Sequence, residues 1–178
     1  MKLDNKYFYP FIAICGVLTL IAIVFGSIRY SDRQEMRFRE NVRTLETEHL
    51  TFPEINLEDS VRVSSFQGDP ILIHFWATWS GKSLRLQEWL YELHSDYPGM
   101  TVISAAIRDD QQMIQAYIDE HDYPWKWVVG TELYQSLRVP GVPSVILLDR
   151  NGELVNIVIG DDQEQIFQLI RTAYEEEQ

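Results

Sequence analysis

The chain has 178 residues, of which 46% are hydrophobic and 24% are charged, and its formal net charge is −12. This length suits one globular domain with an additional segment. Residues 53–178 contain 8 basic and 21 acidic side chains, whereas residues 1–52 contain 7 and 6. Because an acidic domain repels phosphate backbones and no basic stripe is present, the composition argues against a nucleic-acid partner.

The first predicted element is an apolar helix near the N-terminus. Residues 11–28 contain no charged side chain, and Tyr9 and Tyr30 stand at their two ends. A run of this length spans a bilayer, and aromatic residues are typical of both membrane interfaces. We therefore predict a single transmembrane helix over residues 11–29, so that the membrane is one partner. A cleaved signal peptide is the alternative, and the run is longer than the usual ~7–15 apolar residues of such a peptide.

The charges around this helix bear on its orientation. Only two lysines precede it, and five arginines follow it: Arg29, Arg33, Arg37, Arg39 and Arg43. By the positive-inside rule this distribution favours a cytoplasmic domain. The only cysteine, Cys15, lies within the apolar run, so no intramolecular disulfide forms and the cysteine count does not indicate the compartment.

A polar segment separates the membrane helix from the rest of the chain. Residues 30–51 are rich in charge, and their few apolar residues do not form a continuous helical stripe. We predict a charged stalk over these residues, preceded by an N-terminal flank at 1–10 and the membrane helix, and followed by a globular domain over residues 52–178.

Within this domain, strand and helix patterns alternate, which predicts an α/β sheet. Apolar runs predict strands over residues 55–57, 61–66, 71–76, 101–107, 125–129, 144–149 and 154–159. Apolar residues at helical spacing predict helices over residues 83–95, 110–121 and 162–176. Asn151-Gly152 lies between the last two strands and predicts a hairpin.

Three features of the domain occur in a fixed order along the chain. The strand over residues 71–76 leads into Trp79-Ser80-Gly81-Lys82-Ser83 and then a helix. The segment Gly141-Val142-Pro143-Ser144 opens a later apolar strand. The hairpin and a terminal amphipathic helix complete the set.

Together these features resemble the thioredoxin superfamily. The preceding segments, at residues 53–57 and 65–69, are similar to the membrane-anchored TlpA/ResA branch of thiol-disulfide reductases. The likeness covers residues 52–176. It implies a thioredoxin-like α/β fold, a central mixed sheet flanked by helices, joined to an N-terminal transmembrane helix. It also implies an extracytoplasmic domain, whereas the arginines that follow the helix favour a cytoplasmic one.

The resemblance places serine at both positions of the reactive dithiol. Ser80 and Ser83 stand where relatives have cysteine, and Lys82 replaces the usual proline. A helix N-terminus stabilises an anion by up to about 2 kcal/mol, or about 1.5 pKa units, which is far too little to ionise an alcohol at neutral pH. We therefore expect no catalytic residue. Engineered serines are an alternative explanation, which the change at Lys82 disfavours.

Two other roles for the polar residues remain open. Ser80 is expected to cap the following helix through its side-chain oxygen. A nucleophilic role would need a base, for which His74 in the preceding strand is the candidate. The remaining histidines, His49, His94 and His121, show no metal-ligand spacing. We expect neither a metal nor another cofactor.

The resemblance also implies a binding surface. Pro143 matches the cis-proline of the family, so a cis Val142–Pro143 peptide is predicted, and the loop before it presents Val142 to an extended segment. Trp76 and Trp79 match the aromatic pair beside the active site. Trp125 and Trp127 alternate along a strand and are core residues or part of an exposed aromatic platform.

We therefore expect a redox-inactive module in the cell envelope that binds a protein or an extended peptide. The residues expected to bind are Trp76, Trp79, Lys82, Val142 and Pro143. One alternative is a component of a thiol-disulfide oxidoreductase system that works with a cysteine-bearing partner. Another is a structural subunit of a membrane complex.

Overall fold

The computed structural model describes residues 5–55 and 59–175. Two short strands, β1 (Thr51–Pro53) and β2 (Ser60–Arg62), pair antiparallel. The other strands are β3 (Ile71–Trp76), β4 (Thr101–Ala106), β5 (Lys126–Val129), β6 (Ser144–Leu148) and β7 (Leu154–Ile159). The helices are α1 (Asn5–Arg43), α2 (Gly81–His94), α3 (Gln111–Glu120), α4 (Thr131–Ser136) and α5 (Gln163–Glu175).

Strands β3 to β7 form one mixed sheet in the order β5-β4-β3-β6-β7. The first three in sequence are parallel, because a helix connects each to the next. Strand β6 is antiparallel to both β3 and β7, and the Asn151-Gly152 turn joins β6 to β7. The predicted thioredoxin-like α/β fold with a central mixed sheet is therefore confirmed.

Helices cover both faces of the sheet. On one face, α2 and α5 bury Leu86, Leu90, Ile166 and Ile170 in a cluster with Leu72 of β3. The opposite face of β3 packs in a second cluster with the β1–β2 pair and with the C-terminal part of α1. Helix α3 covers the end of β3 and β4.

Most predicted elements of the domain lie within two residues of the observed ones. The segment over residues 61–66 is instead the end of β2 followed by a 3-10 helix, Val63–Phe66. The strand predicted over residues 55–57 is absent at Ile55, which lies in a turn, and residues 56 and 57 lie outside the described part of the chain. Helix α4 was not predicted, because six residues are too few for a helical stripe.

The predicted stalk is not separate from the domain. Helix α1 continues unbroken to Arg43, and its residues Phe38 and Val42 are 0% and 1% exposed within the core. Asn41 Nδ2 donates to the Leu137 carbonyl at 3.0 Å, which adds a polar contact. Two apolar residues one turn apart were too short a pattern to reveal this docking. The predicted division into domains otherwise stays a prediction.

The N-terminal part of α1 is long and apolar enough to cross a membrane, and among the described residues no other helix is. None of its most apolar 18-residue window is buried within the protein. Its exposed side chains include Phe11, Leu18 and Phe25. An uncovered apolar surface of this extent is rare on soluble proteins, and it is compatible with membrane anchoring.

The docking of α1 yields a first prediction. Phe38→Ala removes a fully buried ring from the core and should lower the free energy of unfolding by about 3–5 kcal/mol. Met36→Ala, on the exposed side of the same helix, should change it by less than about 0.5 kcal/mol. Urea unfolding of the full chain in detergent, followed by tryptophan fluorescence, measures both. Equal losses in the two variants would mean that α1 does not pack on the domain.

Candidate functional site

The site begins where β3 ends and α2 begins. All six residues of β3 are buried, and the chain then turns through residues 77–80 into α2. Ser80 is the N-cap of α2, and its Oγ accepts from the Ser83 N–H at 3.3 Å. The side chain thus partners an amide that the helix itself leaves unpaired. The capping role predicted for Ser80 is confirmed.

The two serines differ in access. Ser80 keeps 9% of its surface exposed, whereas Ser83 is completely buried on the inner side of α2. Within the described residues, the Ser83 Oγ has no hydrogen-bond partner. Both positions at which the resemblance implies the sulfurs of a dithiol are therefore occupied by hydroxyl groups, and only Ser80 keeps any exposed surface.

Buried polar side chains lie beneath this helix start. His74 pairs in the sheet with Ser104, whose Oγ donates to Gln87 Oε1 at 3.2 Å, and Gln87 lies one turn after Ser83 on α2. All four are 0% exposed. Burial lowers the pKa of His74 from 6.5 to about 3, because the interior disfavours the charged ring. His74 is thus neutral at physiological pH.

The geometry gives no support to His74 as a base for Ser80. Neither ring nitrogen of His74 has a hydrogen-bond partner among the described residues. The Ser80 Oγ is engaged with the Ser83 amide instead. A general base must lie within hydrogen-bond reach of the proton that it removes.

The loop after β4 holds the loop after β3. The Asp109 carboxylate accepts from the Thr78 N–H through Oδ2 and from Thr78 Oγ1 at 3.0 Å through Oδ1. The Trp79 Nε1–H donates to the Arg108 carbonyl at 3.4 Å. Asp109 was not predicted from the sequence, where its only signal is its position immediately before a predicted helix. These bonds fix the segment that carries Trp79 and Ser80.

Lys82 is paired across the surface of the site. Its Nζ lies 2.9 Å from Asp161 Oδ1, and Arg85 Nη2 lies 3.6 Å from Asp161 Oδ2. The hydrogen bond from Lys82 is the main cause that lowers the pKa of the Asp161 carboxyl. Asp161 follows β7, far from Lys82 in sequence, so the sequence alone gave no signal for this pair.

The Val142–Pro143 peptide is cis, as the family resemblance implied. The Pro143 carbonyl accepts from the Gly160 N–H at 2.9 Å, so it is used inside the fold. Among the described residues, the N–H and C=O of Val142 make no hydrogen bond. Because β3 and β6 pair Phe75 with Ser144, the loop before β6 and the loop after β3 lie at the same edge of the sheet.

Only one of the four tryptophans considered above is available at this surface. Trp79 is 63% exposed, but Trp76 is 0% exposed and its ring packs against Tyr117 and Trp127, with centroid distances of 5.1 and 5.5 Å. Trp125 is also buried. Trp76 was therefore wrongly included as a binding residue, because it belongs to a strand covered on both faces. The aromatic platform does not form.

No metal centre is visible in the described part of the chain, where no three His, Cys, Asp or Glu side chains come together. Two of the histidines hold local structure instead. His94 Nε2 lies 3.2 Å from the Met100 carbonyl, and His121 Nδ1 lies 2.9 Å from the Tyr117 carbonyl.

Known proteins share this fold. The family model described as thioredoxin-like matches residues 68–154. The thiol-disulfide oxidoreductase ResA of Halalkalibacterium halodurans is 21% identical, over 91% of this chain and 92% of that protein. The chain is therefore similar in fold and in sequence to members of the thioredoxin superfamily. Within it, the similarity is to the TlpA/ResA-like branch, with serine at both cysteine positions.

Two further proteins extend the comparison. The ResA of Oceanobacillus iheyensis is 22% identical over 58% of this chain, and the match spans 56% of that relative's length. The structure of a secreted Mycobacterium tuberculosis disulfide oxidoreductase homologous to Escherichia coli DsbE superposes with a TM-score of 0.61. It is 16% identical, and the match covers 71% of this chain and 98% of that one.

The buried histidine predicts an acid-sensitive stability. Between pH 6.5 and about 3 the unfolded state binds one more proton at His74 than the folded state, so stability rises with pH there. Relative to neutral pH, this contribution should cost about 2 kcal/mol at pH 5. Urea unfolding at pH 7 and pH 5 should show this loss in the native protein and not in His74→Leu.

His49→Gln provides the matched control, because His49 is exposed and should leave the pH dependence unchanged. If His74→Leu kept the native loss between pH 7 and pH 5, His74 would not be the group responsible.

Proposed function

We propose that this chain is a membrane-anchored, redox-inactive thioredoxin-like module that binds an extended segment of a partner protein. The observation that carries this proposal is serine at both dithiol positions within an otherwise retained site. Ser80 caps α2, the Val142–Pro143 peptide is cis, and the loops around them are held in place.

The loss of redox chemistry follows from the side chains present. Disulfide exchange requires a thiolate as the attacking group. The only cysteine of the chain is Cys15, in the apolar part of α1 and not at the site. Neither Ser80 nor Ser83 has a base within hydrogen-bond reach among the described residues.

Binding of an extended segment is supported by the loop that contains Val142. The N–H and C=O of Val142 are unpaired within the described chain, and Trp79 exposes most of its ring at the same edge of the sheet. An extended peptide supplies backbone groups that can pair with the free N–H and C=O of Val142, and an aromatic side chain provides an anchor for its apolar residues.

The Lys82–Asp161 ion pair lies beside this surface, with the two side chains 62% and 29% exposed. Surface ion pairs of this kind contribute only about 0–1 kcal/mol. An incoming partner can therefore displace it at little cost and engage Lys82 itself. This is consistent with a binding role for Lys82.

Location outside the cytoplasm is part of the proposal. The apolar part of α1 supports an anchor, and the related Mycobacterium tuberculosis oxidoreductase is described as secreted. The five arginines after the helix favour the opposite orientation by the positive-inside rule, so this part rests on the family relationship.

Restoring the dithiol tests the loss of chemistry. The native protein should not accelerate insulin reduction by dithiothreitol, whereas Ser80→Cys with Ser83→Cys should, because the cap geometry of α2 favours a thiolate at position 80. The turbidity of precipitating insulin chains measures both. Acceleration by the native protein would show that the site is an active enzyme.

A single cysteine at position 80 tests binding. In a Cys15→Ala background, Ser80→Cys places one thiol at the more exposed of the two positions, and in native membranes it should trap a disulfide-bearing partner as a mixed disulfide by exchange, which releases the partner's second cysteine as a thiol. Ser83→Cys in the same background is the control, because position 83 is fully buried and should trap nothing. Equal trapping from both positions would contradict a specific surface at Ser80.

A component of a thiol-disulfide system that works with a cysteine-bearing partner is the second candidate. The names of its ResA relatives favour it, because both are thiol-disulfide oxidoreductases. A trapped partner whose own dithiol is reactive would support this role, whereas a partner without reactive cysteines, found by photo-crosslinking, would favour the binding module.

A further inference from the structure

A basic pocket lies where α1 leaves its apolar part and meets the domain. This arginine pocket is a cavity of about 590 Å³ between α1, the end of β4 and the segment around α4. Its nine lining residues include three arginines and no acid. The arginines are Arg37, Arg108 and Arg138, and Tyr30, Gln34 and Tyr134 lie beside them.

The charge of this pocket is opposite to that of the domain around it. Residues 53–178 contain 21 acidic and 8 basic side chains, yet two of those basic residues lie in the pocket. Within the described chain, none of the three arginines forms an ion pair. Their guanidinium groups therefore offer fork-shaped donors with no carboxylate to receive them.

Two of these arginines occupy a backbone conformation that normally favours glycine. Arg108 has φ 43° and Arg138 has φ 55°. A side chain at positive φ is disfavoured relative to glycine at the same position. Such an outlier points to a use for the side chain that offsets its conformational cost.

The pocket begins at the level of the lipid headgroups and extends beyond them, away from the membrane. The apolar run ends at residue 28, so Tyr30 is about 3 Å and Arg37 about 13 Å further along the helix axis. The headgroup layer extends about 5–7 Å beyond the hydrocarbon core. Side chains of a helix lean towards its N-terminus, which directs Arg37 back towards the membrane.

We propose that the arginine pocket binds the phosphate group of an anionic phospholipid. The inference rests on the membrane anchor in the proposed function. Arginine suits a phosphate because its planar fork donates two parallel hydrogen bonds to the phosphate oxygens. The Tyr30 and Gln34 side chains, joined by a hydrogen bond of 2.7 Å, lie at the entrance nearest the membrane. A free phosphate ion offers the same chemistry, but nothing concentrates it where α1 leaves the membrane, whereas lipid headgroups are held at that level.

Lipid retention by the full chain tests this site. The protein is placed in nanodiscs of phosphatidylcholine with a minor fraction of phosphatidylglycerol, and the lipids that stay bound are measured by native mass spectrometry. The native protein should retain phosphatidylglycerol preferentially. Arg37→Gln and Arg138→Gly should each lower this preference by about fivefold, because each removes one of the phosphate contacts.

Arg33→Gln is the matched control. It removes the same charge from the same helix, close to the membrane, but Arg33 does not line the pocket. We expect it to lower the preference by less than about twofold. Arg138→Gly also relieves the positive φ, so its thermal unfolding should be unchanged or raised, which separates lost binding from lost folding. Equal losses in all three variants would overturn the pocket in favour of general attraction to the surface.

A second arm distinguishes the source of the phosphate. Inorganic phosphate is titrated calorimetrically against the full chain in a neutral detergent, and no binding that depends on Arg138 is expected. Binding of inorganic phosphate at the pocket, with displacement of phosphatidylglycerol, would overturn the assignment to a lipid. Insertion into nanodiscs without lipid preference would overturn this inference alone, whereas failure to insert would also overturn the membrane anchor.

Discussion

Burial of β3 on both faces is the constraint on which the rest of the structure depends. Its six residues are buried, with parallel β4 on one side and antiparallel β6 on the other. A strand held on two edges and two faces cannot slip in register without moving its side chains to the wrong face. The positions at which the chain leaves β3 and enters β6 are therefore fixed, and these are the two loops of the candidate site.

The position of the candidate site and its chemistry depend on different features of the chain. The elements that position the site, the Ser80 cap and the Asp109 contacts to Thr78, depend on backbone geometry and hydrogen bonds. Disulfide exchange depends on sulfur at positions 80 and 83, where this chain has oxygen. A fold can thus keep a surface that recognises extended chains after the reaction is lost, because the two properties rest on different atoms. The Arg108 segment links this surface to the arginine pocket, since the Arg108 carbonyl accepts from Trp79 while the same residue lines the pocket.

The sequence predicted features that depend on long patterns or on a specific motif. Strand β3 is an apolar run interrupted only by His74, and its bounds were predicted to the residue; the capping serine and the cis peptide followed from the motifs. Features that depend on tertiary contact were missed. The buried apolar contacts that dock α1 come from Phe38 and Val42, and Lys82 meets Asp161 only because β7 ends beside α2. Trp76 was misassigned because a motif gives the position of a side chain along the chain but not its exposure.

Photo-crosslinking in native membranes tests the central claim most directly. A photoreactive amino acid at position 79 replaces a side chain that is 63% exposed at the edge of the site, and the same residue at position 91 probes an exposed position near the other end of α2. The account predicts one discrete protein product from position 79 and none from position 91. No product from position 79, or the same products from both positions, would contradict a binding surface at the former dithiol site.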